Sequence, residues 1–259
     1  MEYNIRTWNM NFWKQRRGNS EKTLLEKNDW IKLSKEYILN DNNFNFIALQ
    51  ETSLNMLNDE IIIFKGIEKD NIIRMGISDS QYIYHTNPYK YPDWGLMIIS
   101  KKYYFTNCVY NNSLAYMCYD FIIDNKNMTI VNVHLQKDYK TCLYHPSLKK
   151  LVCEIETIKE SRNTHAILLV GDFNASSEYP STEIDDFIIL FSEINKFGFV
   201  DCTKMIDINK RSTMLDYQYQ NDYVFINSQY KDNILEIKIR NDIKTDLIDH
   251  YPIDFKIKL

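Results

Sequence analysis

The sequence predicts an α/β protein built on two sheets, and three observations carry that prediction. Ile167-Leu168-Leu169-Val170 has the continuous apolarity of a strand buried on both faces, and it runs into Gly171-Asp172-Phe173-Asn174. A strand, a helix and a second strand follow one another from Tyr3 to Glu51, the arrangement of a right-handed crossover, and the helix-then-strand order from Ser147 into the Ile167 run echoes it. Between about residues 60 and 133, short aromatic and β-branched runs alternate with turn signals. No linker, charge block or low-complexity tract divides the 259 residues, so one domain over 1–259 is expected.

Composition narrows the function. Hydrophobic residues make up 44% and charged residues 25%, the balance of a globular protein. A formal net charge of −4 excludes a protein that coats nucleic acid through a global basic field. It leaves a nucleic-acid substrate open, because a local patch or a bound divalent metal can supply positive potential. Cys108, Cys118, Cys142, Cys153 and Cys202 form no Cys-x-x-Cys pair, which predicts buried free thiols in a reducing compartment. No signal-peptide core follows Met1 and no run has the length of a membrane span, so a cytoplasmic protein with no membrane partner is expected.

Taken in order, Tyr3 to Trp8 alternates and reads as the first strand, ending in Asn9-Met10-Asn11. Leu24, Leu25, Trp30, Ile31, Leu33 and Tyr37 recur at helical spacing behind Ser20, predicting a helix over about residues 21–40. Phe44 to Leu49 is the second strand and stops at Gln50-Glu51-Thr52. Strands follow at Gln81–His85, Gly95–Ser100, Cys118–Ile123 and Met128–Val133, the last two a hairpin turning through Asp124-Asn125-Lys126-Asn127. A helix over Ser147–Arg162 precedes the Ile167 strand, and another over Thr182–Phe197 closes on Gly198 as C-cap. Phe199-Val200-Asp201 returns to extended structure, and strands at Asn221–Ile226, Leu235–Arg240 and Ile253–Ile257 complete the chain.

Polar groups gather at the strand ends: Asn9, Glu51, His134, Asp172, Asn174, Asp222, Asp249 and His250. Each has a plain alternative. Asn9 and Gly-Asp-Phe-Asn suit turns, Glu51 suits a solvated strand end, and His134 suits a satisfied structural histidine. Yet Asp172 and Asn174, two apart in an extended segment, would leave the strand on the same side. Open α/β sheets bind ligands at that edge, and a two-sheet sandwich would join all eight groups in one cleft.

Six motifs carry a family resemblance: Thr7-Trp8-Asn9-Met10-Asn11, Leu49-Gln50-Glu51-Thr52, Asn132-Val133-His134-Leu135, Gly171-Asp172-Phe173-Asn174-Ala175, Asn221-Asp222-Tyr223-Val224-Phe225 and Asp249-His250-Tyr251-Pro252. In that order, over nearly the whole chain, the sequence resembles the endonuclease/exonuclease/phosphatase superfamily, the fold of deoxyribonuclease I and exonuclease III. The resemblance implies a four-layer α/β sandwich, two mixed β-sheets face to face with helices outside. It implies a Mg²⁺-dependent phosphodiesterase, Mn²⁺ substituting, that cuts nucleic acid, DNA ahead of RNA. The alternative is a phosphatase or phosphodiesterase acting on a nucleotide, inositol phosphate or phospholipid headgroup. A non-catalytic binding module ranks last, because no catalytic group is missing.

By the same resemblance Glu51 is the principal metal ligand, with Asn9 and Asp249 nearby. Asp172 orients and deprotonates the attacking water, and Asn174 holds that water or a phosphoryl oxygen. His250 contacts the scissile phosphate, its tautomer fixed by Asp222. His134 is a second imidazole, which the AP-endonuclease branch lacks; it leans the chain toward deoxyribonuclease-, deadenylase- or phosphatase-like branches. The residue types suit the chemistry, since magnesium takes hard oxygen ligands and phosphate-ester hydrolysis needs charge neutralised in the transition state. Asn11, Arg16 and Arg17, with Lys14, are candidate substrate contacts in the loop after the first strand, a solvated basic loop being the plain alternative for the three cations. His85, His145 and His165 lie outside the motifs and read as structural or surface groups. Trp8, Phe173 and Tyr223 point to the opposite strand face, into the core.

Overall fold

The described strands divide between two sheets, each assembled around one parallel pair. In this computed structural model the described residues are 1–11, 29–30, 32–52, 72–77, 80–86, 95–100, 103, 105–111, 116–135, 147–179, 181–215, 218–243 and 247–259. In chain order the strands are β1 (Glu2–Asn9), β2 (Phe46–Thr52), β3 (Ile72–Ile77), β4 (Ser80–Thr86), β5 (Gly95–Ser100), β6 (Phe105–Asn111), β7 (Tyr116–Ile123), β8 (Lys126–His134), β9 (Ala166–Asp172), β10 (Phe199–Asp201), β11 (Asp222–Asn227), β12 (Ile234–Ile239) and β13 (Ile253–Lys258). One sheet has the order β12-β13-β1-β2-β5-β4-β3 and the other β10-β11-β9-β8-β7-β6.

The two sheets repeat one plan. β1 and β2 are parallel and flanked by antiparallel β13 and β5; β8 and β9 are parallel and flanked by antiparallel β7 and β11. A parallel neighbour requires a crossover. In the first sheet it is a helix, α1, whose described residues are 29–30 and 32–39, its last turn Lys35–Leu39 closing as a π turn. In the second it is α2 (Ser147–Ser161). A third helix, α3 (Ser181–Lys196), follows β9 and ends on Gly198, whose N–H bonds Asn195 O at 2.8 Å from a left-handed φ of +75°.

Period-two alternation sorts the strand side chains into separate cores. Tyr3, Ile5, Phe46, Ala48, Met128, Ile130, Leu168, Val170, Val224, Ile226, Phe255 and Ile257 meet between the sheets. Their neighbours face outward: Trp8, Ile47, Leu49, Met97 and Ile99 pack under Trp30 and Ile38 of α1. On the other side Val131, Val133, Ile167, Leu169 and Phe225 pack under Leu151, Ile155 and Ile158 of α2 and Leu190, Phe191 and Ile194 of α3. The helical residues recur at three- and four-residue intervals, one apolar stripe per helix. The result is the expected four-layer sandwich of helix, mixed sheet, mixed sheet and helices.

A buried arginine ties α1 to its sheet. Arg6 grips both oxygens of Asp254 (Nε–Oδ1 2.6 Å, Nη2–Oδ2 2.8 Å) and donates from Nη1 to Tyr37 O at 2.7 Å, its guanidinium 4.1 Å above the Phe44 ring centroid.

The structure departs from expectation in a few places. β3 and β6 are not foreseen, because both are edge strands whose sequences, Ile-Ile-Arg-Met-Gly-Ile and Phe-Thr-Asn-Cys-Val-Tyr-Asn, lack the run or alternation that burial imposes. The β7–β8 turn is shorter than expected: Asp124 and Asn125 alone turn, both left-handed (φ 49° and 62°), and Lys126 already pairs with Ile123. Cys118 and Cys202 are buried free thiols, but Cys153 is exposed on α2. Residues 21–28 of the expected first helix lie outside the described residues, as do Lys14, Arg16 and Arg17.

Candidate active site

Toward one edge of the sandwich the inward strand faces turn from apolar to polar. The series runs Tyr3, Ile5, Thr7, Asn9 on β1; Phe46, Ala48, Gln50 on β2; Met128, Ile130, Asn132, His134 on β8; and Leu168, Val170, Asp172 on β9. Within each parallel pair the carboxyl ends lie level: Asn9 pairs with Gln50, and His134 with Asp172. Antiparallel β11 brings Asp222 opposite Asp172 at its first residue. The segment before β13 adds Asp249 and His250, held by a bridge from Met214 to His250 and by Trp8 Nε1 donating to His250 O at 2.9 Å.

These groups form one network. Asn9 Nδ2 donates to Asp172 Oδ2 at 2.8 Å and to Glu51 Oε1 at 3.3 Å, while Asn9 Oδ1 accepts the Asn11 N–H at 2.9 Å. His134 Nε2 lies 3.1 Å from Glu51 Oε1 and 3.8 Å from Asp172 Oδ2. His250 Nδ1 meets Asp222 Oδ2 at 2.8 Å, and its Nε2 lies 4.0 Å from Asp172 Oδ2 and 3.9 Å from Asp249 Oδ1. Asn11 Nδ2 donates to Asp249 Oδ1.

Backbone strain marks the same place. Asn11, Glu51 and Asn174 all adopt left-handed φ, at 47°, 46° and 49°. Asparagine tolerates that region, but for glutamate it is unusual and costs on the order of 1–3 kcal/mol. At Glu51 it breaks the alternation of β2, turning toward Asn9 and His134 a side chain that the pleat alone would send to the opposite face. Asn174 likewise reaches Asp172 by a turn and not by the pleat: its N–H bonds Asp172 Oδ1 at 2.7 Å and its Nδ2 spans Leu135 O (2.7 Å) and Asp172 Oδ2 (3.2 Å).

Gly171 permits the close approach of the two strands. Its φ is +127°, and a Cβ there would stand 2.1 Å from Val133 O and 3.0 Å from Gln50 Nε2.

The crowding of carboxylates around two imidazoles shifts their protonation. Burial, reinforced by the facing Asp222 charge, pushes the Asp172 carboxyl up to about 6 against the pull of His250 and His134. Burial works to lower His250, but Asp222, then Asp172 and Asp249, hold it up at about 10. His134 is also raised, burial being outweighed by its hydrogen bond and charge contact with Glu51. His250 therefore favours the protonated state at neutral pH.

The donor set fits a divalent cation. One ligand atom each from Glu51, His134 and Asp172 falls within 4.8 Å of the others. Glu51 Oε2 and Asn11 Oδ1 are buried without a hydrogen-bond partner among the described residues. Bare buried oxygens beside a cluster of carboxylates suit a hard cation that supplies the missing charge. Asn9, expected beside the metal, turns its amide N–H toward both carboxylates, which orients them.

No family model matches the chain, and no curated protein matches it. Solved structures do. A family protein of the endonuclease/exonuclease/phosphatase type from Leptotrichia buccalis matches with a TM-score of 0.63 at 16% identity, covering 99% of this chain and 100% of that one. A 3'-5' exonuclease from Neisseria meningitidis matches at 0.65 and 12% identity, covering 99% and 100%. An AP endonuclease from Leishmania major matches at 0.64 and 12% identity, covering 100% and 88%. The fold is that of the endonuclease/exonuclease/phosphatase proteins.

On this fold the structure brings together Asn9, Asn11, Glu51, His134, Asp172, Asn174, Asp222, Asp249 and His250, all of them named from sequence. His165 lies apart, its Nδ1 2.8 Å from Thr129 Oγ1 at the other end of β8. Trp8, Phe173 and Tyr223 are buried in the outer cores. Sequence reasoning missed the neutral polar tier beneath the site: Thr7, Gln50 and Asn132, each fully buried. The signal was available, since alternation places all three in the otherwise apolar series facing the opposite sheet.

Proposed function

We propose that this protein is a divalent-metal-dependent phosphoric ester hydrolase that cuts nucleic-acid phosphodiester bonds, with DNA ahead of RNA and Mg²⁺, replaceable by Mn²⁺, as the cation. The observation that carries the reading is the Glu51–His134–Asp172 cluster, with a bare buried Glu51 oxygen, directly beside the His250–Asp222 pair. The 3'-5' exonuclease and AP endonuclease that share the fold support it.

Glu51, His134 and Asp172, with Asn11 and Asp249 beside them, would hold the cation, which when bound neutralises charge on the phosphoryl oxygens. Asp172, its carboxyl raised to about 6, acts as the base that takes a proton from the attacking water. Asn174 and Asn9 fix the two carboxylate oxygens of Asp172, so the lone pair that accepts the proton has a set direction. His250, protonated at neutral pH and held through Nδ1 by Asp222, donates from Nε2 to a phosphoryl oxygen. In that set His134 would be the one imidazole donor, beside Glu51.

A second reading changes the substrate to a nucleotide, inositol phosphate or phospholipid headgroup. The net charge of −4 favours it, since a small phosphate ester needs no basic track. The test is a substrate panel of plasmid, single-stranded DNA, RNA, nucleotides and inositol phosphates, with Mg²⁺, with EDTA and with His250→Ala as control. Cleavage of polynucleotide that EDTA and the variant abolish supports the nuclease. Turnover confined to the small esters transfers the assignment to the second reading, and no turnover with any of them sinks both.

A further inference from the structure

We propose that Gln50 is a positioning residue: its buried carboxamide, bridging Thr7 and Asn132 across the gap between the sheets, sets the spacing of the Glu51 and Asp172 carboxylates. This rests on the reading of the site given above. Position 50 continues the series Phe46, Ala48, which faces the apolar space between the sheets, so packing alone calls for a hydrophobic side chain there. The amide instead donates from Nε2 to Asn132 Oδ1 at 2.6 Å, to Thr7 Oγ1 at 3.0 Å and to Ala48 O at 3.3 Å.

The orientation of these amides follows from their partners. Asn132 Nδ2 meets two carbonyls, Leu49 O at 2.9 Å and Met97 O at 3.1 Å, which can only accept. Asn132 Oδ1 must therefore receive the Gln50 N–H. That leaves Gln50 Oε1 buried without a partner among the described residues, an arrangement that stability alone does not favour.

Each atom Gln50 touches belongs to a strand that delivers a site residue. Thr7 lies two residues before Asn9 and Asn132 two before His134, on the same strand faces. Gln50 itself precedes Glu51, and its Nε2 abuts Gly171, the residue before Asp172. The hydrogen bonds thus join β1, β2 and β8 one layer below the cluster, with Gly171 of β9 alongside. Glu51 comes from one sheet, His134 and Asp172 from the other, and the contacts of Gln50, together with those of Asn132 to Leu49 O and Met97 O, link the sheets directly beneath them. Neutral amides do this without adding charge beneath an already acidic site.

The test compares Gln50→Leu with the exchange pair Gln50→Asn plus Asn132→Gln, which keeps an amide contact across the sheets. Readouts are Mn²⁺ affinity by calorimetry, Tm in EDTA, kcat and KM separately, and a crystal structure of the metal-free Gln50→Leu protein. The expectation for Gln50→Leu is Mn²⁺ binding weakened by about 10–100-fold and kcat lowered with KM unchanged, the scale typical when a group that orients a ligand is lost. Tm should stay close to native, and the exchange pair should recover most of the affinity. In the crystal structure, Glu51 should draw away from His134. A drop in Tm that accounts for the lost affinity and is not rescued by exchange makes Gln50 merely structural and overturns the proposal, as does native affinity. If the native protein binds no Mn²⁺, the functional reading falls separately. The crystal structure then decides, an unchanged Glu51–His134 contact overturning the positioning role.

Discussion

Asp172→Asn should make the metal-free protein more stable at neutral pH while abolishing turnover. Asp172 is fully buried, and its carboxyl is carried from 3.8 to about 6, so ionising it at neutral pH costs about 3 kcal/mol. The sign follows from proton binding. Between pH 3.8 and about 6 the folded state holds the proton more tightly than the unfolded chain, so stability is full below that window and lost as pH rises through it. Asparagine removes the ionisation but sets its own N–H₂ against the donors Asn9 Nδ2 and Asn174 Nδ2, a loss of about 1–2 kcal/mol. The net gain near pH 8 is about 1 kcal/mol, a rise of about 2–4 °C in Tm for a chain of this size. Scanning calorimetry in EDTA at pH 8 and pH 4 measures it. The variant should melt above the native protein at pH 8 and below it at pH 4, where only the hydrogen-bond loss remains. Saturating Mg²⁺ should reverse the order at pH 8, since binding stabilises the native protein alone. A variant that melts lower at both pH values refutes the claim that Asp172 is ionised at a cost.

Other perturbations read other parts of the molecule. The pH–rate profile should rise with an apparent value near 6 or below as Asp172 ionises and fall near 10 as His250 loses its proton; Asp222→Asn, removing the main support of that proton, should move the basic limb down by several pH units. Arg6→Met should cost about 3 kcal/mol in urea unfolding, at the low end for breaking a buried pair because Asp254 keeps Arg240 at 2.9 Å. Gly171→Ala should leave no cooperative unfolding transition by circular dichroism, since its Cβ meets the Val133 carbonyl and both belong to paired backbone.

The central strands were legible because they are buried on alternating faces, and alternation writes itself into sequence as it does in Tyr3-Ile5 against Trp8 or Phe46-Ala48 against Ile47-Leu49; their four-layer arrangement came from the family resemblance of the six motifs. Edge strands β3 and β6 escape because their sequences carry neither a continuous apolar run nor a clean alternation. The site residues were legible as polar groups interrupting apolar strand ends. How they meet was not. Asp172 and Asn174 were expected side by side through the pleat, whereas left-handed turns at Glu51 and Asn174 do the aiming, and a glutamate in that conformation has no sequence signature. Gln50 and Asn132 stand in the inward-facing series by alternation, but their pairing across the sheets has no signature in the sequence.

The strand order also fixes when the site can exist. The sheet holding β6 to β11 is drawn from one continuous stretch, Phe105 to Asn227, and can be completed as soon as that stretch has been synthesised. The other sheet cannot, because β1 pairs with β13, Glu2 opposite Lys258. Until β13 leaves the ribosome, β1 lacks one neighbour, Arg6 lacks Asp254 and the cleft lacks His250. A growing chain therefore carries Glu51, His134 and Asp172 before the segment that brings His250 beside them has been made.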